Sequence, residues 1–285
     1  MRHRRESMKI NKVINNNIVS AFGSDGKEVI VTGKGIGFIA KQGKRINKDK
    51  IDKIYKMDSQ SSLERFSELL GNVPIEHFEV SNELIGYANK TLDNKLNKNI
   101  YITLTDHISF AIDRYEKGFE FSNPLLFSIK TLYKKEFDIG IHAIKIINER
   151  FGISFTDDEA AAIAMHFVNA QYNLQMHEAI DVTKLIKEAF KIIQDNLNLY
   201  IKKDTLACER FVTHLRFFAM RIIKKEKTPI NDVEFKNLIC KKYVDEFNCS
   251  KKIADYIIKE FDYQVQDEEL LYLTVHIRRL SMESK

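Results

Sequence analysis

The stretch TDHISFAIDR occupies residues 105–114, and a related stretch, VTHLRFFAMR, occupies residues 212–221. A second pair repeats in the same order, with DDEAAAIAMHF at residues 157–167 and DEELLYLTVHI at residues 267–277. The two copies are offset by 107 residues in the first pair and by 110 in the second. A repeat of this length predicts two homologous modules. The copies share their histidines as well as their apolar positions, which suggests that imidazole chemistry matters in both. The aligned histidines are His107 with His214 and His166 with His276.

Helical spacing dominates both repeats. One stretch places seven apolar residues on a single helical face: Val182, Leu185, Ile186, Ala189, Phe190, Ile193 and Leu197. Thr156 and Glu159 have the spacing of a capping box, so we expect a helix that begins there and carries His166. Each repeat is about 110 residues long, which is enough for a bundle of four or five helices.

The N-terminal segment has a different character. Six of the eleven glycines lie in residues 1–43, and none lies beyond Gly152. Residues 13–22 and 28–32 resemble strands, and the Gly-Ser-Asp-Gly sequence between them predicts a tight hairpin turn. Three further glycines at positions 33, 35 and 37 predict a bulge or a close backbone approach. The chain should therefore begin with a small β domain and continue as helices.

The β segment also concentrates positive charge. Residues 8–58 contain eleven Lys or Arg and five Asp or Glu, whereas the whole chain carries a formal net charge of only +5. Lysines contact phosphates, amides read base edges and an exposed Phe stacks on a base, so this composition favours nucleic-acid binding. A solvated sheet face, with the triple Asn at 15–17 as a plain turn, is the alternative. These features alone do not separate RNA from DNA.

Other classes of protein are disfavoured. No apolar run approaches the ~20 residues that span a bilayer, and no apolar stretch follows the basic leader MRHRRES, so we expect no membrane insertion or secretion. We interpret residues 1–7 as a tag or an upstream extension. The three cysteines, Cys208, Cys240 and Cys249, are odd in number and lack metal-ligand spacing. They are expected to be free thiols in a reducing cytoplasm.

The histidines admit several kinds of chemistry. A metal site is disfavoured because the chain has no His-x-x-x-His pattern and the two histidines of each repeat lie far apart in sequence. A hydrolase is disfavoured because no nucleophile turn accompanies Asp106 and His107. Phosphoryl acceptance fits better, since a neutral imidazole is a competent nucleophile. Four arginines could pair with such a group or simply be solvated: Arg114, Arg221, Arg278 and Arg279.

Two N-terminal motifs add a specific resemblance. KINKVINNNIV at residues 9–19 and GKGIGF at residues 33–38, followed by the two histidine repeats, make the chain resemble the BglG/LicT/SacY family of transcriptional antiterminators. The resemblance covers nearly the full length from Met8 and implies a multidomain α+β protein. A small antiparallel β RNA-binding domain, residues 8–62, would precede two homologous all-α domains regulated by the sugar phosphotransferase system, residues 63–176 and 177–285.

The resemblance also implies a function. The β domains of a homodimer would bind a hairpin in a leader mRNA that excludes an intrinsic terminator, in the cytoplasm and without enzymatic activity, cofactor or metal. Lys34 departs from the family, since many relatives carry Arg there. The implied RNA contacts are Asn17, Gly33, Lys34 and Phe38, and then Lys12.

The resemblance further implies that phosphorylation of the helical modules controls antitermination. A sugar-specific permease would phosphorylate His107 and His166 and inhibit, and the general phosphocarrier protein would phosphorylate His214 and His276 and activate. Three alternatives stay open: a histidine phosphotransfer enzyme, a DNA-binding activator with the same modules, and a helical scaffold with structural histidines. The inducing sugar and the target operon are not specified by the sequence.

Overall fold

The computed structural model describes residues 8–23, 25–38, 41–202, 205–226, 239 and 241–283. The leader at 1–7, Ser24 of the predicted hairpin turn and Cys240 lie outside the described residues. The other two cysteines, Cys208 and Cys249, are buried.

Four antiparallel strands form one sheet in sequence order. The first predicted strand, residues 13–22, is wrong as a single strand. Asn16 and Asn17 form a turn within it, because asparagine side chains bond locally to the backbone and favour turns. The second predicted strand matches the strand Glu28–Thr32. The bounds are β1, Lys9–Asn15; β2, Ile18–Phe22; β3, Glu28–Thr32; and β4, Lys53–Tyr55.

Alternation along the strands gives the sheet two apolar faces. Val19, Val29 and Val31 face one way, where they pack with loop residues Ile36 and Ile46. The opposite face is covered by helical side chains of the same compact unit. That cluster comprises Ile18, Ile30, Tyr55, Leu63, Phe66, Leu70, Phe78 and Ile102.

Ten helices follow the sheet in the described part of the chain. This confirms the prediction of a small antiparallel β domain followed by helices. Five of the seven apolar residues predicted to share one helical face are buried in the helix Met176–Leu197. The bounds are α1, Gln60–Asn72; α2, Ile75–Thr91; α3, Ile100–Glu116; α4, Leu126–Leu132; α5, Lys134–Phe151; α6, Asp157–Tyr172; α7, Met176–Leu197; α8, Leu206–Ile223; α9, Val244–Phe261; and α10, Asp267–Glu283.

The chain divides into two compact units. Residues 1–123 and 135–173 form the first, and residues 124–134 and 174–285 form the second. Helix α4 therefore belongs to the second unit, where the Tyr133 hydroxyl lies 3.2 Å from the Thr183 hydroxyl on α7. Among the described residues, none of the helices combines the length and the apolar character needed to cross a membrane.

Candidate functional site

The first histidine pair joins two helices of the first unit. His107 lies on α3 and His166 on α6, and their ring centroids are 4.7 Å apart. His166 is buried, and the His107 side chain is only 16% exposed. Within the described residues, Nδ1 of His166 has no hydrogen-bond partner. The pair therefore forms one compact site although its members are 59 residues apart in sequence.

A buried ion pair borders this site. Glu159, which is 4% exposed, forms an ion pair with Arg114 on α3. Its second carboxylate oxygen lies 3.4 Å from Nε2 of His107. The Arg114 guanidinium also faces the ring of Phe121 at 4.5 Å. Because an unpaired buried charge is costly, each of these two charges needs the other to remain inside the protein.

Glu159 corrects the capping-box prediction. Thr156 does cap α6, since its hydroxyl accepts a hydrogen bond from the backbone N–H of Asp158. The Glu159 carboxylate, however, is turned to Arg114 and His107. An ion pair with a guanidinium is stronger than a hydrogen bond to one backbone amide, so the tertiary partner prevails. The spacing that suggested a cap thus concealed a residue of the site.

Both histidines of the first pair are neutral near pH 7. Burial lowers the pKa of His107 to about 4, and the neighbouring Arg114 acts in the same direction. Burial also lowers the pKa of His166 well below its ordinary value, and His107 contributes to that shift. Desolvation disfavours the charged imidazolium, so each ring keeps a nitrogen lone pair. Such a ring can attack an electrophile without first losing a proton.

The second unit repeats the arrangement. His214 on α8 and His276 on α10 have ring centroids 4.4 Å apart. Burial lowers the pKa of His276 to about 4, and His214 and Arg279 contribute. A small pocket opens at this pair. Its lining comprises Phe211, His214, Leu215, Phe218, Arg221, Glu269, Tyr272, Leu273 and His276.

The second site also contains an equivalent glutamate and arginine, which are less tightly paired. Arg221 lies 3.7 Å from buried Glu269, and its side chain is 34% exposed. Glu269 accepts a hydrogen bond of 3.1 Å from the backbone N–H of Gln266, the position equivalent to Thr156. Here the carboxylate does cap its own helix, which leaves Arg221 less tightly held.

The other two predicted arginines differ from this pair. Arg278 lies 3.2 Å from Glu246 and faces the ring of Tyr243, so it is engaged away from the histidines. Arg279 is exposed and acts on His276 through its charge. In the described part of the chain, no group of three or more His, Cys, Asp or Glu is placed so that it could hold a metal ion.

Four of the five residues predicted to contact nucleic acid come together at one end of the sheet. The carbonyl of Asn17 accepts a 2.9 Å bond from the Gly33 amide, and its side-chain oxygen accepts a 2.8 Å bond from Gly35. Lys34 is exposed, and the Phe38 ring is 79% exposed. Because the Asn17 oxygen holds the loop, its amino group is the part of the amide that can face a base.

The glycines of this loop allow the close approach predicted from their spacing. A Cβ on Gly33 would lie 1.7 Å from the carbonyl oxygen of Lys50, and a Cβ on Gly37 would lie 2.0 Å from that of Asn15. Gly33 thus shapes the loop through its backbone. Lys12 lies apart, in the middle of β1 and paired with Ser20.

Sequence reasoning missed two kinds of residue at the histidine sites. The buried acids Glu159 and Glu269 align with each other, but Glu159 was predicted only as part of a capping box and Glu269 was assigned no role. Tyr272 has Ala162 at its equivalent position, so alignment of the two repeats gave no signal for it. The hydroxyl of Tyr272 lies 2.7 Å from Nδ1 of His214.

Comparison with known families matches this organisation. The model of the CAT RNA-binding domain matches residues 8–64, and the model of the PRD domain matches twice, at residues 82–170 and 187–280. The double match confirms the repeat inferred from the histidine motifs.

Individual relatives match over nearly the whole chain. Transcription antiterminator LicT of Bacillus subtilis (strain 168) is 41% identical over 273 residues, covering 96% of this chain and 99% of that protein. The Beta-glucoside operon antiterminator of Dickeya chrysanthemi is 37% identical, covering 97% and 98%. The solved chain described as "Crystal structure of GlcT CAT-PRDI" is 36% identical with a TM-score of 0.51, covering 58% of this chain and 98% of that one.

Proposed function

The chain belongs to the BglG/LicT family of transcription antiterminators, which join a CAT RNA-binding domain to PRD domains, and from this premise we propose that it is a sugar-responsive antiterminator. It binds a hairpin in a leader transcript and thereby prevents an intrinsic terminator from forming. It acts in the cytoplasm as a homodimer, and its role is regulatory, not enzymatic. We assign residues 8–62 to RNA binding and residues 63–176 and 177–285 to regulation.

The loop at the end of the sheet supports the assignment of RNA contacts. Phe38 presents most of its ring to solvent, where an unpaired base of a hairpin loop can stack on it. Lys34 is exposed beside it and contacts phosphate, and the Asn17 amino group reads a base edge. Because Gly33 has no Cβ, the loop backbone can pack closely against the carbonyl group of Lys50. Lys12 lies farther along the sheet and contributes positive charge along the path of the RNA backbone.

The facing histidine pairs carry the regulatory proposal. Each module places two facing imidazoles beside a buried glutamate and an arginine, and burial lowers the pKa of His107, His166 and His276. A neutral imidazole can take a phosphoryl group from another phosphohistidine. The added anion then lies beside Glu159 or Glu269 and competes for Arg114 or Arg221.

We assign opposite roles to the two modules. The sugar-specific permease phosphorylates His107 and His166 when sugar is absent and so inhibits. The general phosphocarrier protein phosphorylates His214 and His276 and so activates. The more open second site, with its pocket and its more exposed arginine, suits a soluble protein donor that reaches it from solution.

A phosphorylation assay coupled to RNA binding tests the proposal. The purified full-length chain is incubated with the general phosphotransferase components, the modified residues are mapped by mass spectrometry, and a gel shift on a leader hairpin is run before and after. We expect phosphate on His214 or His276 and a change in RNA affinity. The double variant His214→Ala, His276→Ala should take up no phosphate at the second pair. If no histidine is labelled and RNA binding is unchanged, the regulatory part of the proposal fails.

A further inference from the structure

Asn15, the last residue of β1, joins the turn at the RNA site to helix α1. Its side-chain Nδ2 donates a 3.1 Å hydrogen bond to the carbonyl of Leu70. Its side-chain Oδ1 accepts a 2.9 Å hydrogen bond from the backbone N–H of Asn17. Because a carbonyl can only accept and an N–H can only donate, these two partners fix which end of the amide is oxygen and which is nitrogen.

The sequence deprives the carbonyl of Leu70 of its usual helical donor. In a continuing α-helix this carbonyl would accept from the N–H of residue 74, but that residue is Pro74, which has no N–H. Helix α1 ends at Asn72, and Leu70 is buried. The carbonyl therefore needs a donor from elsewhere in the fold, and Asn15 supplies it from 55 positions away in sequence.

From Asn15 the hydrogen bonds continue into the RNA loop, residues 33–38. The side-chain oxygen of Asn17 accepts from the backbone N–H of Gly35, and the Asn17 carbonyl accepts from that of Gly33. Gly37 lies so close to Asn15 that a Cβ on the glycine would be 2.0 Å from the Asn15 carbonyl oxygen. The loop that presents the RNA contacts is thus held to Asn15 through Asn17 and through Gly37.

We propose that Asn15 is a positioning residue of the RNA site, which anchors the base-reading amide of Asn17 to the carbonyl of Leu70 on α1. The inference rests on the proposed function, since it assumes that Asn17 reads RNA. Leu70 lies outside residues 8–64, which match the CAT RNA-binding domain, and within the same compact unit. A displacement of α1 would therefore reach the base-reading group through a single side chain.

The bond to α1 separates this role from that of an ordinary turn residue. An asparagine turn requires only the bond from the side chain to the N–H two residues on, which Asn15 makes with Asn17. The bond to Leu70 is not part of that motif. Because both ends of the Asn15 amide are engaged by protein groups, Asn15 acts on RNA through Asn17.

A double-mutant cycle in the full-length chain tests whether Asn15 acts through Asn17. The probe is a hairpin selected on the wild-type chain from a random-loop RNA library, and polyuridine is the non-specific RNA. Asn15→Ala should weaken hairpin binding roughly fivefold, as the loss of one or two hydrogen bonds implies, and leave polyuridine binding unchanged. In an Asn17→Ala background the same substitution should change hairpin affinity by less than about twofold, because coupled residues are not additive. Additive losses would mean that Asn15 contacts RNA itself, which overturns the inference.

Asn15→Asp separates the two ends of the amide. Its carboxylate still accepts from the Asn17 N–H but offers no donor to the Leu70 carbonyl. Asn16→Asp is the matched control, since it adds the same charge at the next position, where the residue is exposed. We expect Asn15→Asp to bind the hairpin roughly fivefold more weakly than Asn16→Asp. Equal affinities would show that RNA binding does not need the bond to α1, and the inference would fall.

Hydrogen exchange of the Asn17 amide, followed by NMR, reads the anchor without RNA. This amide should exchange faster in Asn15→Ala than in the wild-type chain, whereas Asn15→Asp should keep it protected. Unchanged exchange in Asn15→Ala overturns the inference. Equal losses of hairpin and polyuridine binding in Asn15→Ala, with a lower free energy of unfolding, overturn it too, because the residue would then be merely structural. If the wild-type chain enriches no hairpin, the proposed function fails and the inference fails with it, even where the exchange rates change as expected.

Discussion

At the scale of the residue, Phe38 provides a direct test of the RNA contact. Its ring is 79% exposed, so Phe38→Ala removes little packing from the protein. The loss of base stacking should weaken RNA binding by about 1–3 kcal/mol. Fluorescence anisotropy with a labelled leader hairpin measures the affinity, and circular dichroism checks the fold. Phe22→Ala is the control, since this exposed ring lies at the other end of β2. Equal losses in both variants would argue against stacking on Phe38.

His107 gives a pH prediction. Burial lowers its pKa in the folded chain to about 4, from 6.5 when exposed. Between these values the unfolded chain binds more protons, so the free energy of unfolding falls as the pH falls. The stabilisation is complete above about pH 6.5 and is lost towards pH 4, with a magnitude of about 3 kcal/mol. His107→Asn should therefore show a shallower loss of stability in urea titrations between pH 7 and pH 4.

The control for that measurement is His142→Asn, which changes a histidine that stacks on Tyr87 away from the pair. Of the two variants, His107→Asn should lose less stability between pH 7 and pH 4. The same slope for His107→Asn and the wild-type chain would mean that His107 titrates normally in the folded state. The neutral-imidazole argument would then lose its support at this position.

At the scale of the element, Gly140 shows how tightly α5 and α6 approach each other. A Cβ at this position would lie 2.1 Å from the carbonyl oxygen of Ala160, which is backbone and cannot turn aside. Gly140→Ala should therefore destabilise the fold by about 1–3 kcal/mol or more, as overpacking does. Gly86→Ala, in the middle of α2 with no atom within 4 Å of the new Cβ, should instead stabilise by about 0.5–1 kcal/mol. Chemical denaturation measures the free energy of unfolding of both variants. An unchanged value for Gly140→Ala would contradict the close approach of the two helices.

Most helices and strands could be predicted from the sequence, because the hydrophobic periods of helices and strands are local signals. The repeat is likewise visible in the sequence alone. The β1–β2 turn was predicted only as an alternative, because the apolar residues on either side of Asn16 and Asn17 also fit one continuous strand. The tight Arg114–Glu159 pair was missed because the spacing of Thr156 and Glu159 also satisfies a local capping rule. Such contacts join residues that are 45 positions apart in sequence, and no local period encodes them.

At the scale of the whole molecule, the electrostatic energy added by phosphorylation can be compared with the free energy needed to switch a protein between two states. Two like charges ~4 Å apart at an effective dielectric of ~20 repel by about 4 kcal/mol. Inverting a two-state equilibrium takes about 5.5 kcal/mol. One phosphoryl group beside Glu159 or Glu269 therefore supplies most of the required energy, and two supply enough. The pairing of histidines within each module fits this requirement.

The distribution of charge gives the last prediction. Residues 8–58 hold eleven Lys or Arg against five Asp or Glu, whereas the rest of the chain holds 34 against 35. RNA affinity should therefore depend on salt through the β domain, with a logarithmic slope of about −0.7 to −0.9 per phosphate contacted. Lys34→Ala should make that slope shallower by about one contact per protomer in salt-dependent gel shifts. Lys117→Ala removes an equal charge from a lysine that pairs with Asp113 on α3. It should leave the slope unchanged, and a shallower slope for Lys117→Ala would place part of the RNA path on the helical module.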